Sequence, residues 1–143
     1  MAKLVRINYT ARNPSMSDAS LMPYAKARLF SKTTSVESIG LLDSGASVNV
    51  LPYRLGCDLG LDWSSQKTDV QLGGNLSGWE AKAVLLNLEI EQLTVVPLVF
   101  AWSRNDAVPL LLGQINFFQA FDVCFFRSQG FFTITSRESN KSL

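Results

Sequence analysis

Between residues 21 and 135 the chain is a succession of short β-prone runs separated by turn residues, and that rhythm confines it to a mostly-β fold. Residues 21–31 (LMPYAKARLFS) are extended and partly alternating. The polar turn KTTS and then VESIGLLD follow, which predicts a hairpin with both strands pointing toward Asp43. After a Leu/Gly/Asp-rich stretch at residues 53–65, the run TDVQL reaches GGNLSG and leaves as WEAKAVLLNLEI, a second hairpin with a glycine-rich tip. A third β pair is expected in QLTVVPLVFAW, where β-branched and aromatic residues dominate and Pro97 marks an edge or a bulge. Only residues 113–121 (GQINFFQAF) carry a helical pattern, with Ile115, Phe118 and Phe121 roughly on one face, and FFTIT reads as a closing strand. A small closed barrel or sandwich with one short C-terminal helix is the expected architecture.

Length and composition narrow the chemistry. With 143 residues, 47% hydrophobic and 17% charged, the chain is long enough for one core and too apolar to be disordered. Residues 1–20 are expected to be an N-terminal arm with a loop at 13–20, residues 21–135 the folded domain, and residues 136–143 a polar tail. The 13 basic and 12 acidic residues are spread along the chain, so no basic field exists to track a phosphate backbone, and nucleic acid is not an expected partner. Histidine is absent, which removes Ser-His-Asp and Cys-His catalysis, histidine metal sites and imidazole switching together. Cys57 and Cys124 form no CxxC pair, so no zinc site or disulfide framework is indicated, and two buried free thiols are expected. No run matches a signal peptide or approaches the ~20 apolar residues that span a bilayer. The expectation is a soluble, cytoplasmic protein with no membrane partner.

Chemistry concentrates in LLDSGASVNVLP, residues 41–52. Asp43 follows two apolar strand residues and precedes Ser-Gly-Ala, the arrangement of a carboxylate delivered from a buried strand into a tight turn. Gly45 lets the backbone approach that carboxylate and donate N–H groups to it, and Ser44 adds a hydroxyl. Taken alone, an Asp-Ser-Gly tripeptide also serves as an ordinary turn opener, and a GG-x-x-x-G stretch as an ordinary flexible loop.

Three pieces together resemble the retropepsin-like aspartic proteases, the retroviral-type half-size relatives of pepsin. They are the Asp43-Ser44-Gly45-Ala46 motif, the QLGGNLSGWEA segment at residues 71–81, and the Leu111-Leu112-Gly113 motif with its following helix, in family order and at compatible spacing over residues 22–135. The resemblance implies a half-pepsin barrel with a flap made of Gly73, Gly74, Asn75, Leu76, Ser77 and Gly78. It also implies a homodimer, because one chain carries only one aspartate motif. Two Asp43 carboxylates facing each other would share a proton and titrate as a coupled pair. One activates a water and the other donates to the substrate carbonyl, with no metal and no cofactor. Ser44 would lock the two loops across the twofold axis, and Leu41, Val50, Leu51 and Leu111 are candidates for apolar substrate pockets. The implied substrate is an extended, apolar polypeptide.

Two departures from the viral pattern stand out. Viral members often pair an acidic residue after the Asp-x-Gly-Ala motif with an arginine after the late glycine; this chain has Ser47 and Gln114, so both halves of the ion pair are missing together. Residues 53–65 also form a longer connection, with Trp63 a candidate cover for one barrel edge. Seven of nine phenylalanines lie between Phe117 and Phe132, which suits either plain core or a subunit interface. Of these segments FFTIT is the candidate interface strand, with residues 4–7 (LVRI) its partner. The competing expectation is a retropepsin-fold module that binds a peptide or dimerises without effective catalysis; a protease domain released from a longer polyprotein is a third.

Overall fold

The computed structural model describes residues 3–11 and 21–137. The loop expected at residues 13–20 lies outside that range, as does the tail beyond Arg137.

Period-two alternation builds the first hairpin. β4 (Tyr24–Phe30) and β5 (Ser35–Leu42) pair antiparallel from Tyr24↔Leu41 to Phe30↔Ser35, with Ala25, Ala27 and Leu29 buried and Lys26 and Arg28 exposed. The hairpin starts later than the sequence pattern implies, because Pro23 separates β4 from the two-residue β3 (Leu21–Met22). That short strand pairs instead with β2 (Thr10–Ala11).

The third β pair expected in residues 92–102 is a single strand, β8 (Val96–Ser103), whose partner is β7 (Ala81–Ile90). Glu91 and Gln92 take left-handed backbone, with φ of 47° and 63°, and the Leu93 N–H donates to the Ile90 carbonyl, so this stretch is spent on the turn. Pro97 sits in the half of β8 whose only strand neighbour is β7, where a missing N–H breaks no second ladder. β6 (Val50–Leu51) lies between β8, parallel, and β9 (Leu110–Leu112), antiparallel. β9 runs parallel to β5, and β4 meets β7, closing a barrel in the order β4-β5-β9-β6-β8-β7. Leu29, Leu51, Leu88, Ile90, Phe100, Trp102 and Leu112 fill it.

One helix was not legible. α1 (Tyr53–Asp58) follows Pro52 and packs so closely that a Cβ on Gly56 would lie 2.1 Å from Trp102 Nε1. The other is shorter than the expected 113–121: α2 (Phe117–Ala120) is one turn, because Asn116 adopts φ 79° and Phe121 already begins β10 (Phe121–Phe126). Both cysteines are exposed free thiols, correcting the buried pair expected: Cys57 lies beside the buried Gly56 of α1, and Cys124 lies on β10.

β1 (Leu4–Asn8), β11 (Phe131–Ser136) and β10 form a separate antiparallel sheet in the order β1-β11-β10. FFTIT is therefore its central strand. Both of its edges are taken by strands of the same chain, so it cannot accept a strand from a second subunit, and among the described residues only β1 and β10 present free edges of this sheet. Ser136 belongs to β11, not to the tail; the Lys3 N–H donates to its hydroxyl at 3.0 Å.

Candidate active site

β5 carries Asp43 out of the barrel wall. The Leu42 N–H donates to the Pro23 carbonyl, and the Asp43 N–H to that of Leu112 at 3.0 Å, so the strand end is held on both sides. The chain then turns: the Ala46 N–H donates to the Asp43 carbonyl at 3.1 Å, and the Gly45 N–H donates to Asp43 Oδ1 at 2.9 Å. Asp43 and Ala46 are half-buried, whereas Ser44 and Gly45 are exposed. None of the ion pairs among the described residues involves Asp43.

The Leu111-Leu112-Gly113 motif clamps the same loop from the other side. A Cβ on Gly113 would lie 2.6 Å from the Val48 carbonyl oxygen and 2.7 Å from that of Ala46, so only glycine allows this approach. The Gln114 N–H donates to the Ala46 carbonyl and the Ile115 N–H to that of Ser47, both at 2.9 Å. Gln114 Nε2 reaches the Ser44 carbonyl at 2.8 Å. A neutral side chain thus ties the two motifs together where the viral pattern uses an ion pair. Gln114→Ala removes this one exposed bond and is expected to cost about 0.5–1.5 kcal/mol, read as a lower urea midpoint at unchanged m.

Register sorts the pocket candidates. Leu41 pairs with Leu111, Leu111 with Val50, Val50 with Ala101, and Ala101 with Ala83, so these residues share the outward face of the wall beside Asp43. Val50, Ala101 and Leu111 join a second apolar cluster there with Val48, Leu72, Leu76, Ala81 and Val108. One residue further along, Leu42, Leu112, Leu51 and Trp102 form the inward row. Leu51 is thus fully buried in the barrel core, on the face away from the other three candidates.

The glycine-rich segment stands over that outward cluster. Gly74–Leu76 is a single 3-10 turn, Gly74 and Gly78 have φ of 60° and 91°, and Gly73, Asn75 and Ser77 are exposed. Leu72 and Leu76 point the segment's apolar side chains into the cluster. Asp43 and Ser44 also line a cavity of about 270 Å³ with Tyr9, Met22, Pro23, Leu41, Leu42 and Phe125. A larger cleft of about 1030 Å³, between β1, the start of β4, β5 and α1, does not include Asp43. No group of three or more Cys, Asp or Glu among the described residues is placed to hold a metal ion.

Asn49 holds the two sides of the site together from beneath. It is fully buried, its Nδ2 donates to the Val99 carbonyl at 3.1 Å, and its Oδ1 accepts from the Gly113 N–H at 2.8 Å. Its signal in the sequence is a lone amide between the apolar residues of SVNVLP. Tyr9, Met22 and Phe125 reach the site from segments far away in sequence, which no local pattern reveals.

By sequence, no protein-family model and no curated protein matches the chain. By structure, it is similar to the crystal structure of a retropepsin-like aspartic protease from Rickettsia conorii, with a TM-score of 0.62 and 17% identity over 95% of this chain and 94% of that one. EIAV protease in complex with the inhibitor HBY-793 is a weaker likeness, with a TM-score of 0.49 and 16% identity over 68% of this chain and 86% of that one. A closed six-stranded barrel with few helices, matching the rickettsial protein over nearly its whole length, gives this chain the retropepsin-like fold.

Proposed function

We propose that the protein is a homodimeric aspartic endopeptidase, with one Asp43 from each copy. The observation that carries this is the Asp43 loop: within a retropepsin-like fold, a half-buried carboxylate at a strand end is fixed by the Gly45 N–H and cross-tied through Gly113 and Gln114. Such fixing keeps the carboxylate oriented at no cost during reaction. The two carboxylates hold a water between them; the ionised one takes its proton as the water attacks the peptide carbonyl, and the protonated one donates to the carbonyl oxygen. The resulting tetrahedral diol collapses as the carboxyl that took the water's proton passes it to the amide nitrogen and the other carboxylate accepts a proton from a diol hydroxyl; the C–N bond breaks, the amine leaves and the dyad is restored, with no covalent enzyme adduct.

The rest of the site has a role in this reading. Residues 73–78 act as the flap, Ser44 bonds across the twofold axis, and the outward row of Leu41, Val50 and Leu111 receives apolar side chains of an extended peptide. Met22 and Phe125, 40% and 39% exposed at the rim of the Asp43 cavity, are where the second copy docks. The test is to incubate the protein with a peptide library from acidic to neutral pH and identify products by mass spectrometry, with sedimentation on the same samples. Cleavage by a dimer is the expected result. Peptide binding without cleavage at any pH would favour the binding module, and a strict monomer at high concentration would sink the shared site.

A further inference from the structure

At the base of the glycine segment three aromatic rings meet two cations. Asp62 sets the local turn: its carboxylate accepts from the Ser64 N–H at 3.2 Å, the Ser64 hydroxyl at 2.9 Å and the Ser65 hydroxyl at 2.8 Å. The resulting 3-10 turn, Trp63–Ser65, presents Trp63 to the barrel. Its ring stands edge-on to Trp102 at 5.1 Å, and Tyr53 stacks on Trp102 at 5.6 Å, with the Trp102 Nε1–H donating to the Tyr53 carbonyl. Lys82 Nζ lies over the Trp63 ring at 5.2 Å from its centroid and the Arg104 guanidinium at 5.0 Å, although like charges repel.

Both cations belong to the footing of the glycine segment. Lys82 is on its rising leg, and Nζ donates to the Gln66 carbonyl on the descending leg at 2.9 Å. The Arg104 N–H donates to the Glu80 carbonyl at 3.1 Å, and its guanidinium is 3.9 Å from the Glu80 carboxylate. Backbone bonds join the legs at Val70 to Ala81 and Ala83 to Thr68; beyond them, among the described residues, the bonds of residues 73–79 are local to the tip. Stiffness must therefore come from below.

We propose that Trp63 is a positioning residue: seated on Trp102 and Tyr53, it fixes through Lys82 and Arg104 the footing on which the glycine segment moves over the cleft. This rests on reading that segment as a flap. Amide exchange on the full-length protein tests it independently of activity. Trp63→Leu, which keeps an apolar side chain and loses the ring, is expected to speed exchange of the Val70 and Ala83 amides at least about tenfold while those of β4 and β5 stay unchanged. Trp63→Phe restores protection. Lys82→Met, which leaves Trp63 in place, loosens the same two amides and covers the case in which Trp63→Leu fails to fold. With a cleaved peptide, Trp63→Leu raises KM several-fold while kcat stays within about twofold. Unchanged exchange at Val70 and Ala83, or exchange raised evenly through the barrel, would overturn the proposal. If no variant, wild type included, cleaves any peptide while the local exchange pattern appears, the positioning role stands and the protease reading alone fails.

Discussion

Asp43→Asn is expected to reduce kcat for peptide hydrolysis by at least about 10³-fold, the scale of lost general acid–base catalysis. In the proposed dimer each copy would contribute the same residue, so one substitution removes both carboxylates. The amide keeps an oxygen for the Gly45 N–H that now donates to Asp43 Oδ1 at 2.9 Å, so the loop has no reason to rearrange. Because Asp43 makes no ion pair among the described residues, no cation is orphaned either. Unfolding midpoint and self-association should match the unmodified protein within error while cleavage vanishes. Hydrolysis that survives in the purified variant would show that Asp43 is not the catalytic group.

Asn49→Leu is expected to cost about 2–5 kcal/mol, the largest stability loss expected of any substitution considered. Leu has the same branched heavy-atom shape as Asn and is the larger of the two, so the loss does not come from a cavity. It comes chiefly from the buried Gly113 N–H, which loses its acceptor and cannot reach water, and to a lesser degree from the part-buried Val99 carbonyl, which loses its donor. Thermal unfolding should shift by roughly 10 °C for a chain of this size. Asn49→Asp keeps the shape and an acceptor for the Gly113 N–H, and as an ionised carboxylate loses the donor to Val99 at the further cost of a buried charge. A loss well under 1 kcal/mol for Asn49→Leu would show that neither group depends on the amide.

What could be read from the sequence was what is local. The β4–β5 hairpin follows from alternation around KTTS, and the Asp43 turn from an acid placed before Ser-Gly. The sorting of pocket candidates was not legible, because it depends on which residue of β9 stands opposite Val50; Leu51 looks as suitable as Val50 until register turns it inward. β10 was not legible because FDVCFF, broken only by Asp122, has no sustained alternation and adjoins a helical pattern that in the structure starts only after Asn116 and stops at Ala120. α1 escaped because a glycine inside a six-residue helix argues against one, and only its contact with the Trp102 indole explains it.

β11 lies between β1 and β10 of its own chain, so the terminal sheet is built without borrowing a strand. Folding and assembly are then separate events. A lone copy keeps its barrel, its Asp43 loop and its cavity, and in the proposed dimeric enzyme it would be a folded half-site without activity. If the active species is the proposed dimer, then at concentrations below its dissociation constant the number of complete sites grows with the square of the amount of chain, so doubling the supply quadruples the output. On that reading the abundance of the chain would itself set the rate of proteolysis.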